Sequence, residues 1–446
     1  MSIKEKLIIK NFFSIKEFEW DIKGFNVLTG GMGSGKSIAL KLLYFCEQIL
    51  QKIIFSEPNL GKERLAEDNF FDAIENHFNR IFPYKSHEID FRNTVIDYEF
   101  SLFKEEENDT FYEAQFVLFD QPILAKFDLS AEWNDKAGKF KWSSIYIMAN
   151  IKKWQKFFDV PKTLDLSDNA KNSIYNSIIS DFRNTFPLAS MFIPASRAIA
   201  AIADTISSRD QFINSFMSFK NFALSFDNIS NDIVNNILRI RNIYINDNKE
   251  PIFELLDERK ITSLELSSGQ QELLYLLLLV NDLKDTVYKY GEAVSVFIEE
   301  PCAHLFPKEQ KETMEFLVTY FHLLQNKKDY EPGHRFFIST HSPYILDTLN
   351  NILEKGRLLR KAKKIKNAEL KDEILNEMEK ISFQHIEVKN VSAYMIDDDG
   401  FVRSMINSSE DSQYIYSKVI ENIANVISVD ADKLFTINDR LNEIFS

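Results

Sequence analysis

The stretch FNVLTGGMGSGKS, residues 25–37, decides the fold of this 446-residue chain. Its first four residues form a short, largely apolar run of the kind that makes a buried strand, and helix-forming residues follow from Lys36. Residues 30–37 lie at the junction and match the pattern G-x-x-x-x-G-K-[ST], which is specific in this strand–helix context. The sequence therefore predicts a phosphate-binding loop, called the P-loop below, directly after a buried strand.

The residue types in the P-loop suit a nucleotide. Glycines let successive backbone N–H groups curl around phosphate groups without interference from a Cβ atom. We expect Lys36 to reach the β- and γ-phosphates of ATP and the Ser37 hydroxyl to ligate Mg²⁺. The alternative is a flexible Gly/Ser turn with an incidental lysine, which the flanking strand and helix disfavour. The predicted nucleotide-binding residues are Gly30, Gly31, Met32, Gly33, Ser34, Gly35, Lys36 and Ser37.

Composition restricts the class of protein. With 45% hydrophobic residues and 39 Phe, the chain can bury a substantial core. Its net charge of −14 argues against a protein that coats nucleic acid indiscriminately. Cys46 and Cys302 both stand in apolar surroundings, which suits a reducing compartment. The chain opens without a signal-peptide pattern, and its longest apolar run, residues 273–280, is too short to span a membrane, so we expect a cytoplasmic protein without membrane contact.

A second predicted strand ends in two carboxylates. Residues 294–301, VSVFIEEP, have the apolar pattern of a buried strand that finishes at Glu299 and Glu300. Beside a P-loop, we expect Glu299 to help hold Mg²⁺, directly or through water, and Glu300 to be the catalytic residue that polarises the attacking water. The alternative is a pair of solvated acids at a strand end.

His341 follows a third predicted strand, HRFFIST, residues 334–340. The ligands of open α/β sheets collect at the carboxyl ends of their strands. We therefore expect His341 to act in catalysis by hydrogen bonding to the γ-phosphate or to the attacking water. The alternative is a histidine with a structural role only.

The segment LSSGQ, residues 266–270, leads into the apolar run. The spacing Ser268-x-x-Gln271 predicts a capping box and a helix that starts near Ser268. The first N–H groups of such a helix have no partner within the helix, and its dipole makes this end positive. We therefore expect an anion at the tip.

Together, the P-loop, the strand with two carboxylates, the histidine and the Ser-Gly-Gln helix tip resemble the ABC-type ATPase head. The resemblance implies that residues 266–270 are the signature segment, with Ser268 in place of the commoner first glycine. It also implies that two heads dock head to tail, so that ATP joins the subunits and hydrolysis weakens the contact. In that arrangement the signature segment of one subunit binds ATP held by the P-loop of the other, through Ser267, Ser268, Gly269 and Gln270.

Other blocks resemble the SMC, RecF and OLD branch of that family. They are LIIKNF with NVLTG, FIPASR, and IEEPCAHLFP. The last block implies that Ala303, His304 and Leu305 form a loop that carries signals across the dimer. The chain has no long heptad pattern for coiled-coil arms. The acidic cluster at 397–399 is better interpreted as a hairpin turn than as part of a nuclease site, so we expect no nuclease site on this chain.

Short heads without a nuclease resemble the ATPase subunits of bacterial anti-phage systems such as PARIS, the preferred match, and Septu. The resemblance implies a homo-oligomeric sensor and scaffold that controls a separate effector, a nuclease or toxin, and responds to a phage-encoded trigger. Two alternatives stay open: a RecF-like DNA repair ATPase that acts directly on DNA, and a binding module that uses ATP as structural glue. The basic run RLLRKAKKIK, residues 357–366, could contact nucleic acid or a protein partner, but its apolar residues favour a helix with a solvated face.

We therefore predict an α/β fold: a P-loop NTPase of the ABC-type ATPase head class, with a mixed, mainly parallel sheet. The head would span residues 1–352, with a large inserted region at 51–260, and a small α+β extension would span 353–446. Within this plan we expect strands at 7–9, 25–28, 88–100, 110–120 and 191–197, and a hairpin within 386–407. We expect helices at 67–82, 170–186, 197–240 and 308–324, another after His341, and two near the C-terminus.

Overall fold

The structure is a computed structural model, and it describes residues 2–56, 68–82, 90–103, 123–148, 189–195, 232–245, 251–290, 293–325, 333–381, 383–408 and 413–415. The strands in these ranges are β1 (Ser2–Phe12), β2 (Ile15–Asp21), β3 (Phe25–Gly30), β4 (Val95–Phe103), β5 (Ile123–Asn134), β6 (Lys139–Met148), β7 (Ala189–Ile193), β8 (Ile240–Ile245), β9 (Pro251–Leu255), β10 (Lys260–Thr262), β11 (Val294–Glu299), β12 (Arg335–Thr340), β13 (Val391–Ile396), β14 (Val402–Ser404), β15 (Ile406–Ser408) and β16 (Gln413–Ile415). The helices are α1 (Lys36–Ser56), α2 (Asp68–Ile81), α3 (Asp232–Leu238), α4 (Ser268–Tyr290), α5 (Pro307–Gln325), α6 (Pro343–Lys363) and α7 (Ala368–Glu379). None of the helices in these ranges has the length and apolar character needed to cross a membrane.

The central sheet carries the site. Its six strands lie in the order β14-β13-β3-β12-β11-β7, and all but β14 run parallel. Strands buried on both faces are built from continuous apolar runs, and β11 and β12 are buried at every residue. Thr29 pairs with Thr340, and Glu299 pairs with Ser339, so these strands end in register. The predicted α/β P-loop fold with a mixed, mainly parallel sheet is confirmed.

The two faces of the central sheet are covered by different layers. Phe297 and Phe337 stack with ring centroids 4.4 Å apart and pack with α1 and with the five-stranded antiparallel sheet β2-β1-β4-β5-β6. Their neighbours Val296, Ile298 and Phe336 point to the opposite face, where they pack with α4, α5 and α6. This alternation follows from the two-residue period of a strand. Residues 273–280 of α4 are all buried, as their apolar run predicts.

Several predicted elements have different ends in the structure. The prediction that a helix extends to residue 240 is wrong at its end, because the helix α3 ends at Leu238 and the strand β8 begins at Ile240. Arg239 between them has φ 56°, a left-handed conformation that terminates a helix. The strand predicted from residue 88 begins only at Val95, after a turn at Arg92 and Asn93. The predicted elements at 110–120, at 170–186 and near the C-terminus lie outside the described residues, as do residues 197–231 of the helix predicted at 197–240.

The predicted helices at 67–82 and 308–324 are confirmed as α2 and α5, and the predicted C-terminal hairpin is formed by β13 and β14. The boundary at residue 352 stays a prediction. Helix α6 runs through this position, and β13 pairs with β3 inside the central sheet. Residues after 352 therefore contribute to the same sheet as the P-loop strand.

The basic run lies on the last turns of α6 and just beyond it. Arg357 forms an ion pair with Glu354, and Arg360 lies 3.8 Å from Glu387. Ala362 on the same helix is buried. These contacts agree with an amphipathic helix that has a solvated face.

A buried charge cluster joins the layers at the amino-terminal ends of the parallel strands. Arg335 of β12 forms an ion pair with Glu5 of β1, and its Nη1 lies 3.6 Å from Oε1 of Glu47 on α1. The Glu47 carboxylate also accepts hydrogen bonds from the hydroxyls of Ser190 and Ser295, at 2.7 and 3.0 Å. Both carboxylates and the guanidinium are buried. The cluster connects the P-loop helix α1 to three strands of the central sheet and to β1.

Two carboxylates share one guanidinium here, and this imbalance affects protonation. Burial raises the pKa of Glu47 to about 7, with repulsion from Glu5 adding to the shift and Arg335 opposing it. Burial also raises the pKa of Glu5, against the attraction of Arg335 and the hydrogen bond from Tyr98. Between pH 4.5 and about pH 7, the folded protein therefore retains a proton on Glu47 that the unfolded chain releases.

Replacing Glu47 should change how stability depends on pH. The stability linked to this proton is fully present below the ordinary glutamate pKa of 4.5 and is lost as pH rises through about 7. Between pH 5 and pH 8, we expect the unfolding free energy of the wild type to fall by about 2 to 3 kcal/mol relative to Glu47→Gln. Urea denaturation across this range measures the difference. Glu373→Gln on the exposed side of α7 is the control, and parallel pH curves for wild type and Glu47→Gln would contradict the expectation.

Candidate functional site

The P-loop follows β3 at the carboxyl edge of the central sheet, and two of its glycines, Gly35 and Gly33, are needed for different reasons. Gly35 has φ 110°, and a Cβ atom there would lie 2.7 Å from Oγ of Ser14. Gly33 has φ 76°, and a Cβ atom there would meet nothing within 4 Å. The first glycine permits close contact with the β1–β2 turn, and the second permits a left-handed backbone conformation that residues with a Cβ atom rarely adopt.

Lys36 spans the P-loop at the start of α1. Its Nζ donates hydrogen bonds to the carbonyl oxygens of Gly30 and Gly31, at 2.9 and 2.8 Å. An ammonium group has three N–H donors, so one remains for an anion. Burial lowers the pKa of Lys36, and attraction to Glu300 opposes this shift. The strand end that carries Glu300 therefore lies within electrostatic reach of the P-loop.

The residues of the P-loop fit a phosphate ligand. Among the described residues, Oγ of Ser34 is a buried hydroxyl with no hydrogen-bond partner. It lies in the loop that precedes the N-terminus of α1, where backbone N–H groups and the helix dipole favour negative charge. Met32 and Ser37 are exposed to solvent. The ammonium of Lys36 and the unpaired hydroxyl of Ser34 are donors of the kind that bind the phosphates of a nucleotide.

Ser37 and Glu299 provide oxygen atoms of the kind that Mg²⁺ prefers. Glu299 is buried at the end of β11, and its Oε2 accepts a hydrogen bond of 3.3 Å from the backbone N–H of Ala195. This contact fixes the carboxylate beside the segment that follows β7. The donor set therefore fits a magnesium ion, and the metal-binding role of these two residues stays a prediction.

Glu300 and His341 are in direct contact. Oε2 of Glu300 lies 2.9 Å from Nδ1 of His341 and accepts the His341 backbone N–H at 3.2 Å. Glu300 has φ 43°, and its own N–H donates to Ser339 at 2.8 Å. A non-glycine residue whose backbone is held in this sparsely populated region indicates a local constraint. The sequence predicts a separate role for each residue, and the structure adds that they form a pair.

The capping box of α4 differs from the predicted one by one residue. Ser267, not Ser268, caps the helix: its Oγ accepts the Gln270 N–H at 3.3 Å, and Oε1 of Gln270 accepts the Ser267 N–H at 3.0 Å. Gln271 instead donates to the carbonyls of Leu264 and Leu266. The adjacent serines and glutamines make both registers available in the sequence. The observed register places Ser268 in the first helical turn, where its backbone N–H has no partner within the helix.

The tip of α4 packs on the loop that follows β11. A Cβ atom on Gly269 would lie 3.1 Å from Cδ2 of Leu305 and 3.3 Å from the His304 carbonyl. Nε2 of Gln270 donates to the Leu238 carbonyl at 2.7 Å. Among the described residues, the hydrogen bonds of the tip are with its own segment and with α3, and none is with the P-loop. The predicted action of the tip on a partner's nucleotide stays a prediction.

One neighbour of the P-loop is not predicted by the sequence. The turn between β13 and β14 is formed by a hydrogen bond from the Gly400 N–H to the Asp397 carbonyl, which confirms the hairpin interpretation of the acidic cluster. The turn also touches the P-loop, because a Cβ atom on Gly31 would lie 2.9 Å from Oδ1 of Asp398. The Gly400 carbonyl accepts the N–H of Lys16 at 2.8 Å. No local sequence signal indicates this contact, which depends on the pairing of distant strands.

Comparisons with known proteins give the following matches. A family model described as "AAA domain, putative AbiEii toxin, Type IV TA system" matches residues 25–347. No curated protein matches the chain. The chain is similar to the SMC head domain from Thermotoga maritima, at 11% identity and a TM-score of 0.36, covering 78% of this chain and 92% of that one. It is also similar to a Pyrococcus furiosus Smc head domain with an extended coiled coil, bound to the C-terminal domain of ScpA, at 11% identity and a TM-score of 0.38, covering 95% of this chain and 100% of that one.

Replacing Lys36 should weaken nucleotide binding without unfolding the protein. In Lys36→Met the apolar stem remains but the charged donor to the phosphates is lost, so we expect ATP·Mg²⁺ to bind about 100-fold more weakly. Titration calorimetry measures the affinity. The melting temperature should stay the same or rise, because the variant no longer buries an ammonium group. Lys139→Met, at an exposed position of β6, is the matched control, and an unchanged affinity in Lys36→Met would refute the assignment.

Proposed function

The chain belongs to the family described as "AAA domain, putative AbiEii toxin, Type IV TA system", and from this premise we propose that it is an ATP-driven sensor and scaffold of a bacterial antiviral defence system. It is a P-loop ATPase of the AAA type. In the proposed role, ATP and Mg²⁺ bind at the P-loop and the subunits assemble into a homo-oligomer. Assembly then controls a separate effector protein, a nuclease or toxin, in response to a phage-encoded trigger.

The observation that carries the ATPase part of the proposal is the contact between Glu300 and His341, within electrostatic reach of the buried ammonium of Lys36. A P-loop that only binds nucleotide needs no carboxylate–imidazole pair at the adjacent strand ends. Hydrolysis needs a group that accepts a proton from water and donors that stabilise charge on the transferred phosphoryl group. The pair and the lysine supply these functions.

Each residue has a defined part in the proposed reaction. Lys36 and the backbone N–H groups of the loop bind the β- and γ-phosphates and hold the γ-phosphate in line with water. Glu300 orients and polarises that water, and His341 fixes the Glu300 carboxylate through the 2.9 Å contact. Mg²⁺, which Ser37 and Glu299 would hold, supplies neutralisation of the phosphate charge.

Assembly of two subunits is supported by the position of the signature segment. Ser267 and Ser268 are exposed, and the helix tip that they form favours an anion. Exposed apolar side chains lie next to both halves of the proposed composite site. Met32 of the P-loop is fully exposed, while Leu264, in the segment before the tip, and Phe306, which follows Leu305, are 59% and 80% exposed. A head-to-tail dimer would bury such side chains and bring the tip of one subunit to the nucleotide of the other.

The role in defence rests on two further supports. The family description names a "putative AbiEii toxin, Type IV TA system", which agrees with a role in defence. The sequence blocks at residues 192–197 and 298–307 resemble the SMC, RecF and OLD branch. Within that branch, the length of the chain, its head organisation and its compact C-terminal extension favour the nuclease-free heads of anti-phage systems, with the PARIS type preferred and the Septu type second. In this proposal the effector is a separate protein.

Native mass spectrometry of the wild type and Glu300→Gln, with and without ATP and Mg²⁺, tests the proposal. We expect Glu300→Gln to bind ATP, to stop hydrolysing it and to accumulate as an ATP-dependent oligomer, because the water is no longer polarised. The wild type should release phosphate and form the oligomer only transiently. Loss of the catalytic base should lower phosphate release at least about 100-fold.

Glu373→Gln removes one exposed carboxylate from α7 and is the matched control. It should behave as the wild type in both mass and phosphate release. Normal turnover in Glu300→Gln would refute the assignment of the base. A monomeric Glu300→Gln with ATP bound would refute the proposed assembly, and tight, salt-dependent binding of duplex DNA that ATP stimulates would favour the DNA repair alternative.

A further inference from the structure

Gln310, in the first turn of α5, bridges the two loops that carry the candidate catalytic residues. Its Nε2 donates a hydrogen bond of 2.8 Å to the Leu305 carbonyl, in the loop that follows β11. Its Oε1 accepts a hydrogen bond from Oγ of Ser342, in the loop that follows β12. Both polar ends of one amide are therefore used, and each is bonded to a different loop.

The first of these loops reaches the signature tip. The Leu305 side chain and the His304 carbonyl lie against Gly269. The same loop begins at Glu300, and both Glu300 and His304 have positive φ, at 43° and 62°. Conformations of this kind persist when surrounding contacts enforce them. The bond from Gln310 to Leu305 is one such contact, at the end of the constrained stretch.

The second loop holds the histidine. Ser342 directly follows His341, and its side chain is buried. Its Oγ caps α6 by accepting the N–H of Ile345 at 3.4 Å, and its own N–H donates to Oγ1 of Thr340 at 3.0 Å. Since His341 contacts Glu300 through both its backbone and its ring, a displacement of Ser342 would alter the pair.

These contacts form one continuous path. It starts at Gly269 in the signature tip, continues through Leu305, Gln310 and Ser342, and ends at the His341–Glu300 pair. The backbone of Gln310 has separate anchors, because its N–H donates to Phe306 and its carbonyl lies 3.7 Å from Sγ of Cys302. The side chain can therefore be changed while the backbone anchors remain.

We propose that Gln310 is a positioning residue that couples the signature tip to the Glu300–His341 pair of the same subunit. The tip meets nucleotide held by a second copy of the chain, so the coupling links the two nucleotide sites of a dimer. Nucleotide at one site then sets the geometry for hydrolysis at the other. This inference rests on the proposed head-to-tail ATPase dimer.

The test compares three glutamine variants. Gln310→Met keeps the length of the side chain and removes both hydrogen bonds, whereas Gln310→Glu keeps the acceptor for Ser342 and loses the donor to Leu305. Gln325→Met is the matched control, because Gln325 stands at the other end of α5 and its Nε2 also donates to a backbone carbonyl, that of His334, at 2.9 Å. Phosphate release is measured against ATP concentration, giving kcat, KM and the Hill coefficient, and native mass gives the oligomeric state.

For Gln310→Met we expect kcat to fall about 10-fold while KM stays within about twofold of the wild type, because the P-loop is untouched. The Hill coefficient should fall to about 1, since the two sites no longer communicate. Gln310→Glu should recover part of kcat through the retained bond to Ser342. Gln325→Met should keep wild-type kcat, KM and Hill coefficient even if its melting temperature falls.

Wild-type kcat and Hill coefficient in folded Gln310→Met would overturn the coupling while leaving the ATPase dimer intact. If Gln310→Met does not fold, a Gln310→Glu variant with wild-type kinetics would overturn it equally. A wild-type protein that forms dimers without ATP-dependent cooperativity would also refute the coupling. A wild type that neither dimerises nor hydrolyses ATP would refute the proposed function, and with it this inference.

Discussion

Parallel pairing of β3, β12 and β11 in register is the constraint on which the site depends. It places the P-loop, His341 and Glu300 at one edge, although they are far apart in the sequence. The buried Arg335–Glu47–Glu5 cluster lies at the opposite ends of the same elements. Helix α1 begins at Lys36 and carries Glu47 further along. One helix therefore connects the P-loop to the buried charges that join the layers. A movement of α1 relative to β12 would disturb both.

The loops at the carboxyl edge differ in how they are held. The P-loop is closed by hydrogen bonds from Lys36 to the carbonyls of Gly30 and Gly31. The loop from Glu300 to Leu305 contains two residues with positive φ and is held by Gln310. A pre-organised phosphate loop beside a constrained loop would suit the proposed ATPase, which binds ATP readily and hydrolyses it only when assembled. A pre-organised P-loop would favour the binding of ATP. In the proposed dimer, the constrained loop from Glu300 to Leu305 would let a contact at the signature tip change the geometry of the Glu300–His341 pair.

The sequence predicts what is locally encoded. The P-loop, the strand ending at Glu299 and Glu300, and His341 each carry a pattern of apolar residues followed by the relevant chemistry, and the structure has them where the patterns place them. The capping register was ambiguous because Ser267 and Ser268 both have a glutamine three residues later. The predicted helix end at residue 240 is wrong because no residue type in the sequence indicates the left-handed conformation of Arg239. The bridge made by Gln310 and the contact between Asp398 and the P-loop could not be predicted, since both depend on tertiary packing.

The hairpin of β13 and β14 has a consequence for how the protein is made. Gly30 of the P-loop pairs with Ile396, and the turn at 397–400 touches Gly31 and the β1–β2 turn. A ribosome therefore releases the P-loop sequence long before it releases the strand that completes the loop's surroundings. Until then, β3 presents an open sheet edge with unpaired backbone groups. Chains that stop before the hairpin would carry the P-loop sequence without the strand that pairs with β3 and without the turn that touches Gly31.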